Sequence, residues 1–191
     1  MPEIEIEFKN MLNKKEYEAI YKYYNLDKLG TIKNSNYYYE DSRQSLKNNN
    51  AALRIRHTNN KSEITLKIKG ARSNIEINEV WENKELVASL KVASLPRLIK
   101  EKLLAFNVDE DLVLIQQIKT IRKEKEIPEG LLVMDKTYFL KELVDYELEF
   151  EVADYEQGKI DFEKILEKFS IASKEAKPKI ARAINYSNEV S

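Results

Sequence analysis

The chain of 191 residues contains no cysteine, a single histidine and almost no net charge. Without cysteine there is no disulfide framework and no thiolate metal site, so a metal would have to use oxygen ligands or the one histidine. A formal net charge of −1, from 32 basic and 33 acidic residues, excludes broad electrostatic attraction to DNA or to an anionic membrane surface. Any field that matters must be local. The start, MPEIEIEF, lacks the basic and apolar regions of a signal peptide, and no apolar run approaches membrane-spanning length. The reading is a cytoplasmic protein in one domain, residues 1–191, large enough to bury a sizeable core.

What the chain does have is strict alternation. Glu3-Ile4-Glu5-Ile6-Glu7-Phe8-Lys9 alternates charge with hydrophobe, and Glu147-Leu148-Glu149-Phe150-Glu151-Val152 repeats the pattern. In a strand successive side chains point to opposite faces, so each segment reads as a β-strand with one acidic face. Carboxylates two apart on a strand are about 6.6 Å apart at Cα, close enough for two glutamates to converge on one divalent cation.

Further strands are predicted over 34–41, 51–58, 63–69, 73–80, 112–125, 131–140 and 143–152, eight in all. Asn59-Asn60-Lys61 and Pro128-Glu129-Gly130 supply turns. Helices are predicted over 13–24, with Asn13 as cap, and over 155–169. Pro178 suits the start of a last helix, the C-terminal helical region running over about 155–188. Residues 84–107, rich in Leu, Ala and Lys, read as two helices meeting near Pro96.

Charge segregates by strand. Arg54 and Arg56 share one face opposite Leu53, Ile55 and His57, and Thr65, Lys67 and Lys69 share another. Thr120, Arg122 and Glu124 lie together, as do Val133, Asp135 and Thr137. Strands of antiparallel sheets usually mix signs on a solvated face, whereas here one sign dominates within a strand. Eight strands can close into a barrel whose interior holds side chains or one small ligand. The predicted fold is therefore α+β: an eight-stranded antiparallel closed barrel with a charged interior, jacketed by the helices. Buried charges are tolerated when they pair or bind an ionic ligand. Arginine and lysine suit phosphate oxygens, and carboxylates suit Mg²⁺ or Mn²⁺, which points to phosphoryl transfer.

At these residues the chain resembles the CYTH, or triphosphate tunnel metalloenzyme, superfamily, and within it the bacterial YjbK-type proteins. Glu5-Ile6-Glu7-Phe8-Lys9 matches the ExExK signature. It is followed in order by Ala52-Leu53-Arg54-Ile55-Arg56, Leu66-Lys67, Arg122, Asp135, the acidic strand 147–151 and Lys179-Ile180-Ala181-Arg182.

The resemblance implies a metal-dependent triphosphatase acting on inorganic triphosphate, a nucleoside triphosphate or thiamine triphosphate. Glu5, Glu7, Asp135, Glu147, Glu149 and Glu151 are the implied metal ligands, two of the last three sufficing. Lys9, Arg54, Arg56, Lys67, Lys69, Arg122, Lys179 and Arg182 are the implied phosphate cations. Glu5, Glu7, Lys9, Arg56 and Glu149 stand closest to the chemistry, Asp135 can orient an arginine, and Glu76 can pair with a cation. ATP cyclisation to cyclic AMP uses the same charges, and a non-catalytic polyphosphate or nucleotide binder is the third reading. His57, Trp81 and the Tyr37–Tyr39 run read as packing residues.

Overall fold

A computed structural model describes residues 2–59, 61–83, 85–139 and 143–188. Its strands are β1 (Glu3–Leu12), β2 (Ile32–Glu40), β3 (Ala51–His57), β4 (Ser62–Lys69), β5 (Asn74–Val80), β6 (Ser89–Leu90), β7 (Leu112–Ile127), β8 (Gly130–Tyr138) and β9 (Val144–Val152). The helices are α1 (Lys14–Tyr23), α2 (Ser45–Asn48), α3 (Arg97–Ala105), α4 (Tyr155–Lys168) and α5 (Lys179–Asn188). Strand order is β2-β3-β4-β5-β1-β9-β8-β7-β6, and β2 also pairs with β7. The order therefore closes on itself through eight strands, which is the barrel class expected from the alternation, with the two-residue β6 appended to β7.

The chain divides into two compact units, one of residues 1–4 and 35–117, the other of residues 5–34 and 118–191. Each has its own core. In the first, Leu53 and Ile55 of β3, Ile64 and Leu66 of β4 and Ile77 of β5 pack with Leu46 of α2 and with Ile99 and Leu103 of α3. In the second, Leu132 and Met134 of β8 and Leu148 and Phe150 of β9 pack with Ile20 of α1 and with Phe162, Ile165 and Leu166 of α4. Burying each such side chain contributes roughly 1.5–3 kcal/mol. In both units the apolar side of the strands is the helix-covered side, so their charged side chains stand on the opposite face.

Local sequence explains the helix ends. Asn13 closes a reciprocal capping box with Glu16: its Oδ1 accepts from the Glu16 amide at 2.9 Å, and its own amide donates to Glu16 Oε2 at 2.7 Å. The Asp154 side chain caps α4 by accepting from the Gln157 amide at 2.8 Å. Pro178 lies just before α5, its carbonyl accepting from the Arg182 amide.

Residues 84–107 depart from the expectation of two helices. Ser89–Leu90 forms β6 against Leu112 and Val113, Val92–Ser94 is a single 3-10 turn, and only the stretch after Pro96 is α-helical. Proline holds Leu95 extended, at φ −76° and ψ 156°, which prevents a helix from running into it. Leu90, Val92 and Leu95 reach the first core from this extended path, so tertiary packing overrides their helical propensity. The four-residue α2 is too short to show a periodicity. Asn60 of the first expected turn, Lys84 at the start of the expected helical stretch and Leu140 at the end of an expected strand lie outside the described residues.

The β7–β8 hairpin turns through Pro128 and Glu129, with Ile127 opposite Gly130. Gly130 has φ +157°, and a Cβ placed there would lie 2.5 Å from the carbonyl oxygen of Glu151 on β9. Gly130→Ala should therefore destabilise the protein by about 1–3 kcal/mol or more, from backbone strain and the close approach together, read as a lowered midpoint in chemical unfolding.

Candidate metal and phosphate site

Register aligns the charges of the second unit in rows. Arg122 on β7 faces Asp135 on β8, which faces Glu147 on β9. One step along, Val133 faces Glu149, which faces Lys9 on β1, and beyond it Glu151 faces Glu7. Period-two alternation on each strand keeps these groups on one face, while hydrogen-bond register decides which residues meet.

Their contacts form a dense ionic lattice. Arg122 grips Asp135 with two parallel hydrogen bonds, Nε to Oδ1 at 2.8 Å and Nη2 to Oδ2 at 2.7 Å, and its Nη2 also donates to Glu149 Oε2 at 2.6 Å. The Lys179 ammonium, carried by α5, lies 2.9 Å from Asp135 Oδ2, 2.6 Å from Glu147 Oε2 and 2.6 Å from Glu149 Oε1. Lys9 Nζ lies 2.9 Å from Glu7 Oε2 and 3.0 Å from Glu149 Oε1. Asp135, Glu147 and Glu149 are buried, at 0%, 1% and 2% exposure. Burial alone would push Glu149 up, but Lys179, Lys9 and Arg122 overcome it and hold its carboxyl well below the usual range. Asp135 is likewise lowered, burial being outweighed by Arg122 and Lys179.

One oxygen each from Asp135, Glu147 and Glu149 lies within 4.8 Å of the others, the single such cluster of metal-ligating type among the described residues. Hard carboxylate oxygens converging this way fit Mg²⁺ or Mn²⁺. A second acidic group consists of Glu5, Glu7 and Glu151. Burial, then repulsion from Glu5, pushes the Glu151 carboxyl up to about 7.

Arg182, the second cation of α5, is buried and holds carboxylates. It donates through Nη2 to Glu147 Oε2 at 2.8 Å and through Nη1 to the Lys177 carbonyl at 2.8 Å, and its Nε lies 3.0 Å from Asp145 Oδ2. Asp145 is pushed up to about 6 by burial, against the pull of Arg182.

The first unit carries the other cation face. Register places Asn36, Arg56 and Glu63 in one row, Tyr38, Arg54, Thr65 and Asn78 in the next, and Lys67 with Glu76 in a third. Arg56 Nε donates to Asn36 Oδ1 at 2.9 Å, and its Nη1 lies 3.7 Å from Glu63 Oε1. Lys67 Nζ lies 3.1 Å from Glu76 Oε1. Burial would raise Glu76, but Lys67 and Arg54 lower it. The Arg54 Nε is buried without a hydrogen-bond acceptor. Lys69 is exposed at the end of β4. His57 sits apart from these groups, its Nδ1 2.6 Å from Ser62 Oγ and its ring edge-on to Tyr37.

Glu63, Asn36 and Asn78 belong to these rows and Asp145 meets Arg182, and none of the four was singled out from the sequence. Asp145 precedes Glu147 by two residues and Glu63 precedes Thr65 by two, so extending the alternation outward by one step reaches both.

The CYTH domain family model matches residues 3–184. The chain belongs to the CYTH domain family. A Bacillus subtilis protein named "Putative triphosphatase YjbK" is 38% identical to this CYTH chain over 182 residues, covering 94% of each. The crystal structure of a "putative adenylate cyclase" from Bacillus halodurans superposes with a TM-score of 0.84 at 28% identity, covering 95% of this chain and 97% of that one. HpAC1 from Hippeastrum, a "putative adenylyl cyclase" described as having a dominant triphosphatase activity, shares the fold at a TM-score of 0.76 and 18% identity, covering 97% and 96%. Among the described residues no helix of this CYTH chain is long and apolar enough to cross a membrane.

The raised Glu151 has a consequence for stability. Its folded pKa of about 7 lies above the unfolded value of about 4.3, so folding takes up a proton between them. Stability contributed by this group is present below about pH 4 and is lost as pH rises through 7. In the presence of a chelator Glu151→Gln should match wild type near pH 4.5 and exceed its thermal midpoint at pH 8, as melting curves across pH will show.

Proposed function

We propose that this CYTH chain hydrolyses a triphosphate compound, using Mg²⁺ or Mn²⁺, with release of phosphate. The observation that carries this reading is the convergence of Asp135, Glu147 and Glu149 within one ionic lattice. It is supported by the second cation face at Arg54, Arg56 and Lys67. A hard divalent cation needs the first set, and a polyphosphate needs cations of the second kind. The name of the 38% identical Bacillus subtilis relative points the same way.

In this reading Glu5, Glu7, Asp135, Glu147, Glu149 and Glu151 supply the oxygen donors for the metal. When bound, the cation neutralises phosphate charge and orients the phosphates for attack by water. Arg54, Arg56, Lys67, Lys9 and Arg122 hold phosphate oxygens. Glu76 and Glu63 keep Lys67 and Arg56 in place until the substrate's more strongly charged oxygens compete for them. Asp135 orients the Arg122 fork, fixing the direction in which the guanidinium can donate. While α5 is docked, Arg182 holds the Glu147 and Asp145 carboxylates in position. Phosphoryl transfer asks little else of a protein than such positioning and charge stabilisation.

Phosphate release from tripolyphosphate, thiamine triphosphate and ATP should depend on added Mg²⁺ or Mn²⁺ and stop with a chelator. Glu5→Ala and Arg56→Ala should each lower kcat/KM by about 10²–10³-fold, the scale of losing one transition-state charge contact. Normal rates in both folded variants would refute the assignment. Chromatography of the ATP reaction separates hydrolysis from cyclisation, since the latter leaves cyclic AMP and pyrophosphate.

A further inference from the structure

We propose that Lys179 is a tethered competitor of the divalent cation, so that metal binding at Asp135, Glu147 and Glu149 and docking of α5 exclude one another. This rests on the metal-binding reading above and adds to it a regulation of the same carboxylates by the C-terminal helix.

The geometry makes the case. A single ammonium lies within 2.9 Å of one oxygen of each of the three carboxylates that converge. The ammonium donates a hydrogen bond to Glu149 Oε1 and stands at ion-pair distance from Asp135 Oδ2 and Glu147 Oε2. A hard cation needs oxygens at about 2.0–2.2 Å with their lone pairs aimed at it, so an ion held by all three carboxylates takes the place of the Lys179 ammonium. Arg122 and Lys9, carried by β7 and β1, also contact these carboxylates, and Arg182 contacts Glu147 from α5 itself. A divalent ion added beside four cations meets strong repulsion, and Lys179 is the one of them that stands among all three ligands.

The docking of α5 is of a kind that can be reversed. Its buried residues are Arg182 and Ala183, with Ile180, Ala181, Ile184 and Tyr186 half-buried, so ionic contacts carry part of the anchoring beside apolar ones. A ring contact between Phe139 and Tyr186, at 5.0 Å between centroids, adds to these. The preceding residues 171–178 form neither helix nor strand, and their hydrogen bonds to Asn10 and Met11 of β1 end at Lys174, so residues 175–178 can change direction without unravelling an element. Ionic anchors lose their partner when a stronger cation takes the carboxylates, whereas a hydrophobic face would not respond to metal at all.

Two measurements test this. Mn²⁺ titration followed by electron paramagnetic resonance should show Lys179→Met binding at least tenfold tighter than wild type, while Lys174→Met, which removes an exposed cation of the same unit, changes the affinity less than threefold. Hydrogen exchange on the unmutated protein should show faster exchange across 179–188 when Mn²⁺ is added. Equal Mn²⁺ affinity in wild type and Lys179→Met, or Mn²⁺ binding that leaves exchange of α5 unchanged, overturns the inference and leaves the metal site standing. Failure of Mn²⁺ to bind either protein overturns both.

Discussion

Buried carboxylates repel one another and lose their hydration, so a protein that places Asp135, Glu147 and Glu149 together must place cations among them. Lys179, Arg122 and Lys9 do this for Glu149, and Arg122 and Lys179 do it for Asp135. The features around these residues follow from that need. β7, β8 and β9 must keep the register that brings Arg122, Asp135 and Glu147 into one row, and α5 must lie where its lysine reaches three acids. The hydrophobic residues of β8 and β9 are then committed to the other face, where α1 and α4 cover them.

Such a lattice is an expensive way to stabilise a fold. Replacing buried ion pairs with well-packed apolar residues is often neutral or stabilising, because Coulomb attraction must first offset desolvation. Its retention in a chain of the CYTH family is therefore better explained by the ligand the charges receive. The first unit follows the same economy on a smaller scale. There Lys67 is paired with Glu76, and Arg56 is supported by Asn36 and Glu63. These contacts hold long cationic side chains in fixed directions at modest energetic gain. In the proposed function a polyphosphate arriving with more charge displaces them.

Much of the fold was legible because the strands are amphipathic with period two. Alternation identified β1, β3, β4, β5, β7, β8 and β9 and assigned each residue to a face, and the acidic and basic faces were visible as runs of one sign. Asn13 marked the start of α1 through short-range capping chemistry. The segment before Pro96 was misread because Leu and Ala carry helical propensity wherever they occur, whereas Leu90 and Val92 were drawn into an extended path by β7 and the first core. A four-residue helix such as α2 leaves no pattern to detect.

The candidate site divides along the same line. The amino-acid sequence by itself determined which groups share a face, since alternation along a strand is a local property of the backbone. Only the tertiary structure decided which of them touch. Strand register set Arg122 against Asp135 and Asp135 against Glu147, and the docking of α5 brought Lys179 to all three acids across thirty or more residues of chain. Register and docking arise from the packing of two cores and from long-range electrostatics. Neither leaves a signature in any single segment, so a lysine that reads as one more phosphate cation stands in the structure among three converging carboxylates.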